Sequence, residues 1–287
     1  MCFLGYCSIE DLTECECGME AMGTKTGEES CDLKFVNDTT LTFKSSNQSL
    51  CPCSDDCQYC PDCKMGDDTS STLARTPWIA SIGYSSESNW IHSCIGSIIA
   101  HNMILAPANC IQDFDNFKIK VGSEDLTQDS PIYDIASVEL HPEFNDNPDY
   151  NIGIVYTTEP IRFTDTIMPV CVPRVTKEHD AFARKAVVIS QYSSMQLKGS
   201  LIPVKSIEYC QLFDFSFQSH HLCGGYRKVG EPGSPIVKTN YDVEPNFYQL
   251  IGLRIGEEEH EEEGVTEFFL RLNHPKVLAF VLQALQQ

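Results

Sequence analysis

The sequence predicts an all-β domain that ends in one helix and follows a small cysteine-rich module. Short runs rich in Ile, Val and Tyr recur between residues 77 and 256, and turn residues separate them. A single helical pattern closes the chain, and cysteine usage changes sharply after Cys63. With 287 residues, the chain is long enough to bury a substantial hydrophobic core.

The module, residues 1–63, is predicted to be held together by disulfides. Ten of the fifteen cysteines lie there. Its end, CPCSDDCQYCPDC, carries C-x-x-C spacings that zinc sites also use, but a zinc site would be all-thiolate because the first histidine is His92. Two Asn-x-Ser/Thr sequons, at Asn37 and Asn47, are typical of a secreted glycoprotein and favour disulfides. The expected location is therefore extracellular, although residues 1–12 do not form a secretory signal.

A polar linker is predicted at 64–75, and the main domain is predicted to span 76–287. The linker consists of small and polar residues. The predicted strands suit a β-sandwich or a barrel, and they read PWIASIGY, SIIAHNMILA, FKIKVG, YDIASVELH, YNIGIVYT, KAVVISQY and YQLIGLRIG. In the last segment, Val277, Phe280, Val281 and Leu285 fall at helical spacing after Pro275.

The charge of the chain restricts its partners. A formal net charge of −21 disfavours nucleic acids, which need basic patches, and favours basic proteins. No apolar run is long enough to predict a membrane span. We predict no cofactor and no metal.

Taken in order, several stretches between residues 76 and 287 resemble the trypsin/chymotrypsin family. TPWIASIGY is similar to the first barrel strand, SCIGSIIAHNMILAPANC to the loop beside the catalytic histidine, and YNIGIV to the stretch with the catalytic aspartate. GEPGSPIV resembles the nucleophile region, and LIGLRIG resembles the strand that lines the substrate cleft. The resemblance implies a fold of two β-barrels with a C-terminal helix.

The resemblance also locates three catalytic positions, and none holds the required residue. A triad needs an imidazole base, an orienting carboxylate and a hydroxyl nucleophile, whereas this chain has Asn109, Asn151 and Pro232 there. The family's oxyanion hole uses the backbone N–H of the nucleophile residue and of Gly230. Proline has no N–H, so one of these two donors is lost. These residues therefore predict a domain that has the family's fold but no catalytic activity.

The resemblance further implies the covalent links of this domain. Family spacing pairs Cys94 with Cys110 and Cys210 with Cys223. Cys171 lies where two-chain members tie the protease domain to the propeptide, so it is expected to pair with Cys63 or Cys60. The acidic residue that would receive a new N-terminal amine is Glu231, but no family activation sequence precedes the domain.

Two groups of polar residues admit alternative interpretations. Asn109 and Asn151 could bind a metal with His141 or His179, but hydrogen bonding between polar residues is the favoured interpretation. Adjacent His220 and His221 are interpreted as loop residues, because neighbours on an extended segment point to opposite faces.

An acidic run lies at the rim of the former cleft. A solvated loop is favoured over a calcium site there, and a docking surface for a basic segment is an equal alternative. Its six glutamates are Glu257, Glu258, Glu259, Glu261, Glu262 and Glu263.

These observations favour a secreted, non-catalytic protease homologue that binds other secreted proteins, such as proteases or proenzymes with basic segments. Homologues of this type, many from arthropods, regulate extracellular protease cascades in immunity and melanisation. The alternatives are a structural or adhesive glycoprotein and a hydrolase that uses non-standard residues.

Overall fold

A computed structural model describes the two parts of the chain as separate sheets. The described residues are 6–8, 31–37, 40–45, 76–86, 89–144, 149–172, 186–211, 218–224, 230–240, 247–260 and 264–286. In the cysteine-rich module, strands β1 (Tyr6–Ser8), β2 (Cys31–Asn37) and β3 (Thr40–Ser45) form an antiparallel sheet in the order β1-β3-β2. The main domain contains the other strands.

The first half of the main domain is a closed barrel. Its strands pair in the order β4-β5-β6-β9-β8-β7, and every pairing is antiparallel. Buried isoleucine and valine side chains fill this barrel, among them Ile82, Ile98 and Ile119. The strands are β4 (Ile79–Ser86), β5 (Asn89–Ala100), β6 (Met103–Ala106), β7 (Lys118–Val121), β8 (Ile132–Leu140) and β9 (Gly153–Thr157).

The second half is a six-stranded antiparallel sheet that curls into a second barrel. The strand order is β11-β10-β13-β14-β15-β12, and an antiparallel bridge between Val204 and Gly224 joins the two edges. Ile189, Ile236 and Phe269 belong to its core. The strands are β10 (Ala186–Ser193), β11 (Gln196–Pro203), β12 (His221–Gly224), β13 (Pro235–Asn240), β14 (Phe247–His260) and β15 (Gly264–Arg271).

Three helices complete the described fold: α1 (Ala108–Ile111), α2 (Ile207–Gln211) and α3 (Pro275–Ala284). Helix α3 begins with Pro275, whose fixed φ suits the first helical position. Val277, Leu278 and Val281 of α3 are fully buried, and burial of each such side chain stabilises the fold by about 1.5–3 kcal/mol. Among the described residues, none of the helices is long and apolar enough to cross a membrane.

One cluster of buried side chains lies between the two barrels. It takes Ile95, Leu105 and Ile154 from the first barrel, and Leu253 and Leu270 from the second, together with Val277 and Phe280 of α3. Both barrels also contribute segments to the region that the resemblance identifies as the cleft, since the Pro232 loop bonds to β5 and to β14. The predicted two-barrel all-β fold with a C-terminal helix is confirmed.

Candidate functional site

Asn109 and Asn151 lie side by side at the first barrel. Asn109 is exposed on α1, where a disulfide between Cys94 and Cys110 ties this short helix to β5. Asn151 is buried just before β9. The Asn109 backbone N–H donates to Asn151 Oδ1 at 3.0 Å. The two positions are therefore joined by a hydrogen bond between polar residues, as the sequence predicts.

Pro232 lies at the exposed apex of a loop that both barrels hold. The Ile95 N–H of β5 donates to the Pro232 carbonyl at 3.0 Å, and the Gly233 N–H donates to the Arg254 carbonyl of β14 at 3.0 Å. The Arg254 N–H in turn donates to the Ser234 carbonyl at 2.9 Å. Gly233 has a φ of +84°, a conformation that favours glycine. The loop thus keeps its shape without any nucleophile.

Ser234 and His101, a hydroxyl and an imidazole near these positions in the sequence, each have a local structural contact. Ser234 is fully buried, and its Oγ accepts a hydrogen bond from the Glu231 N–H at 2.9 Å. The His101 ring stacks on Phe163 with ring centroids 3.9 Å apart, and its Nδ1 lies 3.2 Å from the Ile161 carbonyl. Both side chains therefore support local structure away from the loop apex.

A buried ion pair lies directly against Gly230, and the sequence analysis did not identify it. Glu267 of β15 is fully buried, and its Oε1 accepts from Arg254 Nε at 2.8 Å and from the Gly230 N–H at 2.8 Å. Arg254 also pairs with Glu257. A Cβ on Gly230 would lie 2.5 Å from Arg254 Cδ, so the two side chains leave no free space beneath the loop. The sequence contains a signal for this pair, because LIGLRIG and TEFFL each carry one charged residue within an apolar run, and a charge that is buried needs a partner.

The acidic residue next to Pro232 is also fully engaged. Glu231 Oε2 lies 3.0 Å from His92 Nε2, and Glu231 Oε1 accepts from the Tyr192 backbone N–H. His92 Nδ1 is 2.7 Å from Ser81 Oγ. This chain of contacts runs from β4 through β5 to the loop and β10. Both oxygens of the Glu231 carboxylate therefore have a partner, and neither partner is an N-terminal amine.

A stack of rings borders Asn151. The Tyr150 ring lies between His141, at a centroid distance of 4.7 Å, and His220, at 4.6 Å. Tyr150 has a φ of +53°, a left-handed conformation that costs a non-glycine residue free energy unless its surroundings hold it. The stacking supplies that support. Burial lowers the pKa of the His141 imidazole below its ordinary value.

This burial predicts a pH dependence of stability. Because the pKa of His141 is lowered in the folded state, the unfolded chain binds the proton first as the pH falls below about 6.5. The free energy of unfolding should therefore decrease between pH 7 and pH 5.5, and it should decrease less in His141→Gln. Chemical denaturation at each pH measures both curves. They should run parallel above pH 7, where His141 is neutral in both states; equal slopes below pH 6.5 would contradict the prediction.

The structure corrects the interpretation of His220 and His221. Their rings do not point to opposite faces, since the centroids lie 4.2 Å apart. His220 lies in a turn, where strand alternation does not apply, and His221 begins β12. Asp149 Oδ1 lies 2.9 Å from His220 Nε2 and 3.4 Å from His221 Nε2. The three side chains therefore form one cluster.

The acidic run is not a simple loop either. Residues 257–260 extend β14 and pair with residues 264–267 of β15. The backbone pairing with β15 holds residues 257–260 in an extended conformation, although three of these four residues are glutamates. Glu259 is exposed and Glu258 half-buried, whereas Glu257 contacts Arg254. Glu261, Glu262 and Glu263 lie outside the described residues.

The remaining predicted positions are the cysteines, the two sequons and His179, and only some of them lie within the described residues. Cys210 and Cys223 form a disulfide, as Cys94 and Cys110 do, and these are the two pairs that the resemblance implies. Cys171 is also disulfide-bonded, but Cys60, Cys63 and Asn47 lie outside the described residues, as does His179. Asn37 ends β2, and nothing in the structure tests whether it carries a glycan.

Comparison with known proteins agrees with this fold. The chain is 29% identical to mouse chymotrypsin-C over 200 residues, which cover 62% of this chain and 72% of that protein. It is 24% identical to melanization protease 1 of Drosophila melanogaster over 256 residues, 75% of this chain and 64% of that protein. A vitellin-degrading protease of Bombyx mori is 33% identical over 79 residues, which span 26% of this chain and 30% of that protein. The chain thus spans less than two thirds of the two insect relatives. The trypsin family profile matches residues 65–277, and the chain therefore belongs to the trypsin family.

Proposed function

We propose that this chain is a secreted, non-catalytic trypsin-family protein that regulates an extracellular protease cascade by binding its components. The observation that carries the proposal is the set of residues at the three catalytic positions, Asn109, Asn151 and Pro232. None can act as base, orienting carboxylate or nucleophile at neutral pH. The serine and histidine closest to these positions along the sequence of their own segments, Ser234 and His101, make other contacts.

The hydrogen bond of Gly230 supports the same proposal independently. In an active member of the family, this N–H would be one of two donors to the developing oxyanion. Here it donates to Glu267 Oε1, and Pro232 has no N–H to offer. Loss of a single such donor costs on the order of 10²–10³ in rate. The oxyanion hole is therefore missing both donors, in addition to the triad.

Two observations support secretion and a role in a protease cascade. Disulfides such as Cys94–Cys110 persist in oxidising compartments, which supports secretion. Similarity to a protein named melanization protease 1 supports a role in a cascade of the innate immunity or melanisation type.

The first test is catalytic. The purified protein should not react with a labelled fluorophosphonate, which reports an activated serine, and should not hydrolyse ester or peptide substrates. Pro232→Ser should remain unreactive, because it restores a hydroxyl but leaves Asn109 where the base is needed. Labelling and substrate turnover, each measured against an active trypsin-family enzyme as positive control, provide the readout.

A more demanding variant tests the role of Gly230. Combining Pro232→Ser with Asn109→His and Asn151→Asp restores the triad side chains, but the Gly230 N–H remains bonded to Glu267. Turnover should therefore stay at least about 10²-fold below that of an active relative. Turnover by the wild-type chain, abolished by a serine-directed inhibitor, would refute the non-catalytic assignment and favour a hydrolase with non-standard residues.

For the partner-binding surface we propose the acidic run of residues 257–263, of which the structure describes the part that ends β14. Glu259 is exposed and Glu258 half-buried, so both can meet solvent or a partner. Glu257 has a different role, because it contacts Arg254. A surface of this charge attracts basic segments, such as those of a protease or its proenzyme, and attraction of this kind acts mainly on the association rate.

The second test removes this charge without disturbing Arg254. A variant with glutamine in place of Glu258, Glu259, Glu261, Glu262 and Glu263 keeps Glu257. Its association rate with a copurified extracellular partner should be at least tenfold lower at low salt, and the difference should shrink at 1 M salt, where the Debye length is about 3 Å. Surface plasmon resonance over a salt series measures the rates.

A matched control removes five charges elsewhere. Five exposed acidic residues away from the hairpin can be neutralised to the corresponding amides, namely Asp113, Asp115, Glu159, Asp165 and Glu208. This control should associate at nearly the wild-type rate if the hairpin is the docking surface. Equal rates for the hairpin variant and the wild type would exclude the surface, and equal losses in both variants would show that only net charge matters.

A further inference from the structure

The cluster of Asp149, His220 and His221 lies beside the former catalytic centre but has no part in the proposed function. It joins the segment before β9 to the turn that leads into β12, and so connects the two barrels. Asp149 is two residues from Asn151. Of the eight histidines in the chain, two belong to this cluster and two more, His141 and His274, lie within the same group of rings.

The distances within the cluster match a coordination sphere. One ring nitrogen of His220, one ring nitrogen of His221 and a carboxylate oxygen of Asp149 all lie within 4.8 Å of one another. The two Nε2 atoms are 2.9 Å and 3.4 Å from Asp149 Oδ1. Ligands about 2.0–2.1 Å from a tetrahedral Zn²⁺ are themselves separated by roughly 3.3 Å, so small movements bring these atoms around one ion.

The two histidines of the cluster are buried and Asp149 is partly exposed, and this combination suits a metal site that solvent can reach. The His220 and His221 side chains are only 8% and 7% exposed, which holds their rings in place, whereas the Asp149 side chain is 41% exposed. The cluster is therefore open to solvent on the Asp149 side, which gives an ion an entry path and leaves a position for water. Two histidines, one carboxylate and a water are a ligand set that zinc accepts.

The charges around the cluster are also compatible with a cation. Lys276, which lies over the Tyr150 ring, is neutralised by Glu143 at 3.1 Å. Arg271 donates to Asn273 Oδ1 and to the Ser219 carbonyl. The net charge of −21 further favours cation binding over the whole molecule.

One contact opposes metal binding and limits its strength. The Gln218 N–H donates to His221 Nδ1 at 3.2 Å, which places the proton of the neutral ring on Nε2. A metal ion at Nε2 requires that proton to move to Nδ1, and the Gln218 hydrogen bond is then lost. The site is therefore expected to bind reversibly instead of serving as a structural centre.

We propose that Asp149, His220 and His221 form a reversible site for a divalent transition-metal ion such as Zn²⁺, which bridges the two barrels beside the former catalytic centre. Occupancy links residues 149–151 to β12. Zinc would thereby stabilise the folded state by mass action and restrain the ring stack that borders Asn151.

The experiment uses the purified, oxidised full-length chain and compares it with single variants. Isothermal titration with Zn²⁺ should give one bound equivalent for the wild type, and Asp149→Asn and His221→Gln should each weaken it by at least about tenfold. Zinc should also raise the melting temperature of the wild type but not of these variants. His101→Gln serves as a matched control and should bind like the wild type, because His101 lies outside the cluster and contacts Phe163.

The cysteine-rich module requires a separate control, since thiolates also bind zinc. Co²⁺ distinguishes the two, because thiolate ligands add a strong near-ultraviolet charge-transfer band that nitrogen and oxygen ligands lack. The spectrum of the wild type should show weak visible bands without that feature. Asp149→Asn keeps the test open if the histidine variants fail to fold, because Asp149 is partly exposed. Absence of zinc binding by the wild type, or equal binding by the wild type and Asp149→Asn, would overturn the proposal.

Discussion

Arg254→Ala is expected to lower the free energy of unfolding by about 3–5 kcal/mol, because it removes the guanidinium that faces the buried Glu267 carboxylate. Without Arg254, the Glu267 carboxylate would remain fully buried but lose the cation that balances its charge, and a buried charge without such a partner is costly. A loss of this size is a large part of the stability of a typical domain, about 5–15 kcal/mol. Urea or guanidinium denaturation, followed by intrinsic fluorescence, measures the loss.

Two further variants determine whether charge is the cause. The double variant Arg254→Met and Glu267→Gln removes both charges and keeps an acceptor for the Gly230 N–H, so it should recover most of the loss. Lys118→Ala breaks an exposed pair, since Lys118 and Asp134 have side-chain exposures of 40% and 65%, and should cost at most about 1 kcal/mol. The explanation would be wrong if Arg254→Ala cost no more than Lys118→Ala.

Gly233→Ala is expected to cost about 2–6 kcal/mol, because two penalties act at the same position. A φ of +84° costs a non-glycine residue on the order of 1–3 kcal/mol, and crowding in a packed region costs a further 1–3 kcal/mol or so. The new Cβ would lie 1.8 Å from the Ile95 carbonyl oxygen, so the loop or β5 would have to move. The same denaturation measurement gives the cost.

Gly256→Ala is the matched control for this substitution. A Cβ at Gly256 has no other atom within 4 Å, so this change should alter stability by less than about 1 kcal/mol. Similar costs at the two glycines would show that the close approach of the loop to β5 does not matter. A large cost at Gly233 alone would explain why this loop has a glycine directly after Pro232.

The alternation of apolar residues predicts the strands well, because one face of each strand is buried in a barrel. YNIGIVYT and FKIKVG became β9 and β7, and the apolar spacing after Pro275 became α3. The tight turn between β10 and β11 was not predictable from its residues. Ser194 and Met195 both have positive φ, whereas such turns favour Asn-Gly or Asp-Gly, so the pairing of the two strands determines the turn.

The candidate site was only partly predictable for a similar reason. The positions of Asn109, Asn151 and Pro232 follow from local motifs. The contacts of Glu267, Arg254 and Gly230 depend on which strands become neighbours, and short sequence patterns do not contain that information. The pairing of His220 with Asp149 likewise joins residues 71 positions apart.

The residues of the GEPGSP loop differ in how freely they can be substituted. A nucleophile at the exposed apex can be exchanged for proline in a single step, since the apex contributes its carbonyl, which every residue has, to the bond with Ile95. A full set of the family's catalytic groups would instead require coordinated substitutions at Pro232, Asn109 and Asn151, and also at Glu267, which accepts a hydrogen bond from the Gly230 N–H. Substitution at the apex is therefore independent of its neighbours, whereas a change at Gly230, Arg254 or Glu267 affects all three, because the ion pair couples them.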